Sequence, residues 1–199
     1  MNTHPPARSH FFRLATWFEG SLVLLAYIIA WFVGINPFAS FSFDVQSIIY
    51  GLAGTIPLYM MFLVTFRSPN AALNNIREFL MNHMGPVLAD SSLLELAYLA
   101  MLAGVTEETL FRGVLQPAIE MHWGWLAGLL ISNFFFAAAH AITPLYALLA
   151  GLTGVYLGIA LDITGTRNLV IPMAIHAIYD FLAFIAVASA FRREHGKAF

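Results

Sequence analysis

The sequence predicts an all-α, polytopic membrane protein built as one helical bundle. Composition is the first reason: of the 199 residues, 60% are hydrophobic and 10% are charged, and the mean hydropathy is +0.77. Soluble domains carry about a quarter charged residues and about 45–50% apolar ones, so a soluble globule and a disordered chain are both excluded. The formal net charge of -2 provides no basic surface for nucleic acid. We therefore expect membrane lipid as a partner, and no nucleic acid.

Run length is the second reason, because crossing a bilayer takes about 20 apolar residues, with a range of about 17–25. Six runs meet this length, in chain order Trp17–Ile35, Val45–Phe66, Leu93–Met121, Trp123–Ile142, Pro144–Leu161 and Leu169–Phe191. The polar segment before the first run has no small-residue cleavage site, so we expect an anchor helix and no removable signal peptide. Between the second and third runs, Asn70–Val87 places apolar residues at helical spacing among polar ones. This pattern predicts a helix lying on the membrane surface.

The placement of basic residues predicts the orientation. With six spans, all but one of the basic residues near span ends fall on one side: Arg8, Arg13, Arg67, Arg77, Arg192, Arg193 and Lys197. Arg167 lies in a loop on the other side. We therefore expect both termini in the cytoplasm, and the short loops are typical of a bacterial inner membrane. By content the chain divides into 1–92 (two spans and the surface helix), 93–191 (the core described next) and 192–199 (a basic tail).

Ionisable side chains inside predicted spans indicate function, because each costs several kcal/mol in the bilayer and therefore needs a partner. Among those in the spans of the core are Glu107, Glu108, Arg112, His140, His176 and Asp180. Glu108 and Arg112 are one helical turn apart, which predicts an ion pair with an architectural role. Glu107 points about 100° away from Glu108 and is not explained by that pair.

Counting along the helices predicts that these groups meet. The third and fourth spans join through a turn at Met121–Gly124. Glu107 and His140 lie about 15 and 16 residues from that turn, which places both roughly 23 Å from it at about 1.5 Å per residue. His176 and Asp180, one turn apart on the sixth span, fall in the same half of the bilayer. We predict one intramembrane pocket.

The chemistry of that pocket fits hydrolysis of a peptide bond. A Glu shielded from water, together with a His, can hold a water molecule and deprotonate it. A second His can donate a hydrogen bond to a developing oxyanion. The sequence has no G-x-S-x-G, H-E-x-x-H or G-x-G-x-x-G motif, and it has no cysteine for a thiol nucleophile or a disulfide. A proton- or metal-coupled transporter uses the same buried Glu and His and is the alternative, although the spans do not split into two similar halves.

Three motifs in order carry a family resemblance. Glu107–Arg112 reads E-E-x-x-x-R, Phe136–His140 reads F-x-x-x-H, and His176–Asp180 reads H-x-x-x-D. Together they resemble the CPBP family, the CAAX-processing and bacteriocin-processing intramembrane proteases related to the type II CAAX prenyl protease. The resemblance covers roughly Leu93–Asp180, and the two N-terminal spans carry none of it.

The resemblance implies catalytic roles. Glu107 would activate the water, and His140 would help to hold it. His176 and Asp180 would line the oxyanion site. The implied substrates are membrane-associated proteins or peptides: prenylated CAAX tails, bacteriocin leader peptides or membrane-anchored regulators. A family member without activity, acting as a scaffold or immunity partner, is a third hypothesis, against which the intact Glu107, His140 and His176 count.

Supporting residues follow from the same resemblance. Glu108 and Arg112 would orient the motif helix. Asn133 lies seven residues before His140 and on the same face, so it is either a substrate or oxyanion donor or a residue that packs helices together.

Asp180 departs from the CAAX-processing members, which often carry Asn at this position. An ionised Asp cannot donate to an oxyanion, so Asp180 is protonated, orients His176 or binds a metal. The family is often labelled metalloprotease, and Glu107, His140 and His176 could ligate zinc. The sequence leaves both a metal-held and a Glu/His-held water open.

Overall fold

The computed structural model describes residues 6–196, which are helical throughout apart from their connections and contain no strand. The all-α prediction is therefore confirmed. The helices are α1 (Pro6–Val33), α2 (Val45–Phe66), α3 (Ala71–His83), α4 (Gly85–Ala89), α5 (Leu93–Leu110), α6 (Gln116–Ala139), α7 (Pro144–Ala160) and α8 (Val170–Glu194). A π-helical turn, Phe111–Leu115, joins α5 to α6 without a break. Lys197, part of the predicted basic tail, lies outside the described residues.

Three helices in the described part of the chain are long and apolar enough to cross a membrane: Arg8–Val33 within α1, the whole of α2, and the whole of α8. The protein is therefore an integral membrane protein. Helix α7 is apolar but shorter, with 17 residues. The predicted third and fourth spans correspond to α5, the π turn and α6 together. The count of six spans stays a prediction.

Polar residues at the helix starts explain where several helices begin. Asp44 caps α2 and forms a reciprocal capping box with Ser47, and Ser92 does the same for α5 with Glu95. These caps satisfy backbone N–H groups that have no partner inside the helix. The predicted surface helix Asn70–Val87 is two helices, α3 and α4. The sequence Gly85-Pro86 follows the end of α3, and Pro86 lies at the first turn of α4, where its missing N–H does no harm.

The chain reverses at Gly124, within the predicted turn. Gly124 has a φ of 80°, a left-handed conformation that suits glycine. Residues on the two sides of this turn are in contact: the rings of Phe111 and Phe136 are 5.0 Å apart, and Arg112 donates a hydrogen bond to Asn133. The two arms therefore form the antiparallel hairpin that the sequence predicts.

Helix α8 packs closely on both α5 and α2 because small residues face it. A Cβ atom added to Gly104 of α5 would come within 2.7 Å of the backbone N of Ala177, and one on Gly51 of α2 would come within 2.5 Å of the Ala174 Cβ. Gly, Ala and similar residues allow such close approach of helices in membranes. The N-terminal helix α2 is consequently part of the same bundle as the core helices.

Ion pairs join the helices at the two ends of the bundle. At one end, Arg8 of α1 pairs with Glu95 of α5, and Arg77 of α3 pairs with Glu194 of α8. The first turn of α1 and the last turn of α8 therefore lie at the same end.

At the opposite end, Arg167 pairs with Glu120 at 2.6 Å and with Asp162 at 2.8 Å, and the indole of Trp125 donates to Asp162. The hydrogen bond from Arg167 is the main reason that the pKa of Asp162 lies below its usual range, and the hydrogen bond from Trp125 contributes to the same shift. The cluster joins the loop after α7 to the hairpin turn of α6. The side of the membrane on which each end lies stays a prediction.

Candidate active site

Buried polar residues concentrate where α5 passes into the π turn. Glu107 is 7% exposed, and Glu108, Thr109 and Arg112 are fully buried. The π turn changes the hydrogen-bond register of the helix immediately after Glu107 and Glu108. Such turns occur frequently at functional sites. The E-E-x-x-x-R segment therefore lies in the core, at an irregular point of its helix.

Arg112 connects three segments of the core. Its Nη1 donates to Glu108 Oε1 at 3.0 Å, and its Nη2 donates to Asn133 Oδ1 at 2.8 Å and to the carbonyl oxygen of Gly154 at 2.6 Å. Its guanidinium carbon lies 4.8 Å from the ring centroid of Phe136, a cation–π distance. The ion pair that the sequence predicts is present, and Arg112 holds the α5 end, α6 and α7 together.

Asn133 is placed behind the site. Its amide oxygen accepts from Arg112, and its amide nitrogen donates to the carbonyl of Leu129 at 2.6 Å. It is 3% exposed and is not among the residues that line the cavity described below. Of the two roles that the sequence left open for Asn133, this placement favours helix packing.

His176 lies between two carboxylates. Its Nδ1 is 2.8 Å from Glu108 Oε1, so Nδ1–H donates to that oxygen, and its Nε2 is 3.6 Å from Asp180 Oδ2. Glu108 Oε1 therefore accepts from both Arg112 and His176. The pair Glu108–Arg112 is thus directly connected to the H-x-x-x-D motif of α8.

Glu107 faces His140. Glu107 Oε2 is 3.7 Å from His140 Nε2, and this oxygen is buried without a hydrogen-bond donor among the described residues. His140 follows the last residue of α6, where its Nδ1–H donates to the carbonyl oxygen of Phe136 at 2.8 Å. The His140 ring also stacks on the Phe136 ring, with centroids 4.4 Å apart. The F-x-x-x-H motif therefore fixes the imidazole so that a neutral His140 presents the Nε2 lone pair towards Glu107.

One cavity joins the four predicted catalytic residues, Glu107, His140, His176 and Asp180. Its volume is about 310 Å³, and its remaining wall is mostly apolar. It extends from these residues to the inner face of the surface helix α3, where Leu73 and Ile76 line it. The structure thus brings together the groups that the sequence predicted to meet, in a cavity of the size of a small ligand pocket.

Glu19 of α1 lines the same cavity and was missed by the sequence analysis. The Thr106 hydroxyl donates to Glu19 Oε2 at 2.5 Å, and Thr106 is the neighbour of Glu107 in the chain. Glu19 lies just inside the first predicted span and outside the three motifs. The signal that could have found it is the acidic side chain itself, since a carboxylate inside a span needs a reason.

The residues named for a metal do not fit one as they are placed. A bound ion needs several ligand atoms directed at one point. Both ring nitrogens of His176 instead face carboxylates, Nδ1 that of Glu108 and Nε2 that of Asp180. Within residues 6–196, no group of three or more His, Asp or Glu side chains has an arrangement that could hold a metal ion.

Fold and site together define an integral membrane protein with a Glu, His, His and Asp cluster in its helical core. The family described as type II CAAX prenyl endopeptidase Rce1-like matches residues 89–182. This match confirms the resemblance that the three motifs carry, and it covers just under half of the chain. No curated protein and no solved structure matches the chain. The matched segment contains all four predicted catalytic residues, whereas Glu19 lies outside it.

Proposed function

We propose that this protein is an intramembrane endopeptidase in which Glu107 and His140 activate a water molecule for attack on a peptide bond. A CAAX-type protease activity is what the family implies. The observation that carries the mechanism is the buried Oε2 of Glu107, which lies 3.7 Å from His140 Nε2 and has no donor among the described residues. A buried carboxylate oxygen requires a hydrogen-bond donor, and a reacting water supplies it.

In the proposed reaction, Glu107 carries a proton from the attacking water to the leaving amine, and His140 holds the water. The water donates one O–H to Glu107 and the other to the lone pair of His140 Nε2. As the water oxygen bonds to the carbonyl carbon, Glu107 takes its proton and the carbonyl π electrons move to oxygen. The C–N bond then breaks, and Glu107 returns the proton to the leaving amine. General acid–base catalysis of this kind contributes about 10²–10⁴-fold to the rate.

His176 is proposed to stabilise the oxyanion. When doubly protonated, it donates Nδ1–H to Glu108 and presents Nε2–H beside Asp180 at the wall of the cavity. A fixed donor at this point favours the transition state, because it costs no reorganisation when charge develops. Asp180 would orient the His176 ring, which is one of the three roles that the sequence left open for it.

The mostly apolar cavity supports a membrane-associated protein or peptide as substrate. Prenylated CAAX tails, bacteriocin leader peptides and membrane-anchored regulators are the candidates that the family offers. A proton- or metal-coupled transporter is not favoured, because the matched family is one of endopeptidases.

The test replaces the proposed base. Glu107→Gln keeps the shape of the side chain but cannot take the proton, so we expect cleavage to fall by at least about 10²-fold. Membrane fractions from cells with the wild type and with the variant are compared by proteomics for a polypeptide that changes length. Glu78→Gln, on the exposed face of α3, is the matched control and should cleave normally. Equal cleavage by wild type and Glu107→Gln would remove Glu107 from the mechanism.

Glu108→Gln should instead fail in folding. Glu108 and Arg112 are both fully buried, and breaking such a pair on one side costs about 3–5 kcal/mol. We expect a lower yield and a lower melting temperature in detergent, whereas Glu107→Gln should purify as the wild type does. A Glu108→Gln protein as stable as the wild type would contradict the supporting role.

A further inference from the structure

A second cavity lies outside the proposed active site, between the last turns of α2 and α8 and the helix α3. Its volume is about 550 Å³. It shares Phe66 and Arg77 with the wall of the first cavity, but Glu107, His140, His176 and Asp180 do not line it. It is therefore a separate space at the end of the bundle where Arg77 pairs with Glu194.

The charge of this cavity is positive. Three arginines and one acidic residue line it: Arg67, Arg77, Arg193 and Glu194. Arg77 is paired with Glu194. Arg67, directly after α2, and Arg193, in the last turn of α8, are exposed and have no carboxylate partner within residues 6–196. Two guanidinium groups from two different helices are thus left to face a ligand.

Beyond the charged residues, the lining has three polar residues, Ser68, Asn74 and Ser189, and an apolar wall. Tyr59 and Leu63 of α2 and Ile185 and Ala186 of α8 continue the wall one to two turns further along the same helices. Both helices are of membrane-crossing length and hydropathy. The cavity therefore has a cationic end and an apolar wall that runs along the helices towards the middle of the bilayer.

We infer that this cavity binds an anionic phospholipid, with its phosphate between Arg67 and Arg193 and an acyl chain against the apolar wall. Arginine presents a planar fork of N–H donors that matches phosphate oxygens. Basic pockets between membrane helices bind anionic headgroups by this chemistry. A free phosphate ion would use the cationic end but leave the apolar wall without a partner, so a lipid fits the whole lining. This inference is independent of the proposed protease activity.

The experiment measures lipid retention by native mass spectrometry of the full-length protein. Purified protein is taken from micelles that contain equal amounts of dioleoyl phosphatidylglycerol and dioleoyl phosphatidylcholine. We expect the wild type to retain one phosphatidylglycerol in preference to phosphatidylcholine. Arg67→Gln combined with Arg193→Gln should weaken phosphatidylglycerol binding about tenfold or more, since each arginine near the surface contributes to attraction of anionic lipid. Arg13→Gln, an exposed arginine of α1 that does not line the cavity, is the control.

Each outcome decides the inference. An equal loss in Arg13→Gln and in the double variant of Arg67 and Arg193 would show general surface attraction and overturn the site, as would equal retention of both lipids. Displacement of phosphatidylglycerol by millimolar inorganic phosphate would identify an anion site and overturn the lipid. If the double variant does not purify, Arg67→Lys and Arg193→Lys carry the test. The Lys variants keep the positive charge but lose the planar N–H donors of the guanidinium group. We therefore expect each to lose less phosphatidylglycerol binding than the corresponding single variant, Arg67→Gln or Arg193→Gln.

Discussion

Glu108 is the residue on which the proposed site depends most, because one of its oxygens serves two cationic partners. Oε1 accepts from Arg112 at 3.0 Å and contacts His176 Nδ1 at 2.8 Å. Arg112 in turn reaches the backbone of Gly154 in α7. The orientation of His176 is therefore set by contacts that extend over α5, α6 and α7. Oε2 of the neighbouring Glu107, by contrast, has no hydrogen-bond donor within residues 6–196, which agrees with its proposed role as the base that acts on water.

Asp180→Asn tests how the oxyanion is stabilised. Asp180 Oδ2 lies 3.6 Å from His176 Nε2, beyond hydrogen-bond distance, so Asp180 orients the ring by its position beside Nε2 and not through a hydrogen bond that depends on its charge. Asn can hold a similar position and adds an N–H donor, so we expect activity to be kept or raised. Activity should also survive prolonged chelation. Loss of activity in Asp180→Asn together with zinc-dependent rescue after chelation would instead assign a ligand role to Asp180.

Glu19 is expected to act on Glu107 through Thr106. Because the Thr106 hydroxyl donates to Glu19 Oε2, Glu19→Ala removes an acceptor beside the proposed base, whereas Glu19→Gln keeps one. We expect Glu19→Ala and Thr106→Val to lower kcat severalfold with little change in KM, and Glu19→Gln to restore most of the rate. A Glu19→Gln enzyme as impaired as Glu19→Ala would show that the charge, and not the hydrogen bond, matters.

The sequence predicts which residues of the site meet but not how they meet. Helical spacing and the position of the hairpin turn place Glu107 and His140 at one depth. These two features can be predicted because they follow from the regular geometry of the α-helix. Both carboxylates lie just before the π turn at Phe111–Leu115, and Arg112, the partner of Glu108, lies within that turn. No single-residue signal predicts a π turn, since it differs from the α-helix by one extra residue in a hydrogen-bonded turn. Glu19 carries a signal in the sequence, an acidic side chain inside a predicted span, but its partner Thr106 lies 87 residues away, so its place beside Glu107 follows only from the fold.

At the scale of the helices, contacts between α6 and α7 hold Arg112 in place, and glycines make them close. A Cβ atom on Gly154 would lie 2.3 Å from Asn133 Oδ1 and 3.2 Å from Arg112 Nη2. Glycine recurs in α7 at Gly151, Gly154 and Gly158, a spacing that favours close contact between helices, but which partner each one meets follows only from the fold. Their common effect is to let α7 approach the arginine that anchors the site.

Gly154→Ala should therefore destabilise the protein, although alanine is the better helix former. The methyl group would displace the Asn133 amide from Arg112, and overpacking of this kind costs about 1–3 kcal/mol. The measurement is the melting temperature of the purified protein in detergent. Gly20→Ala in α1 is the matched control, because a Cβ atom there would meet nothing within 4 Å. A Gly154→Ala protein that melts with or above the control would contradict the proposed anchoring.

At the scale of the molecule, the N-terminal helices complete the site instead of forming a separate unit. The family match begins at residue 89, yet Glu19 of α1 and Met61 and Phe62 of α2 line the cavity that holds the four core residues. The division at residue 92 was predicted from where the motifs begin, and motif content says nothing about packing. This cavity is accordingly a property of the whole bundle, and truncation to the matched segment would open one of its walls.

The six-span arrangement makes a prediction about sidedness that labelling can check. The chain has no cysteine, so single cysteines report without background. Asn75 of α3 and Thr166 of the loop after α7 are both exposed and lie at the opposite ends marked by the Arg77–Glu194 and Arg167–Asp162 pairs. We expect a membrane-impermeant maleimide to label Thr166→Cys in intact cells, and Asn75→Cys only once the membrane is opened. The physical reason is the excess of arginine at the Asn75 end, which the positive-inside rule places in the cytoplasm. Labelling of both cysteines from the same side would overturn the six-span count. The reversed pattern would keep the count but invert the molecule, and the arginine-lined cavity would then face the outer leaflet.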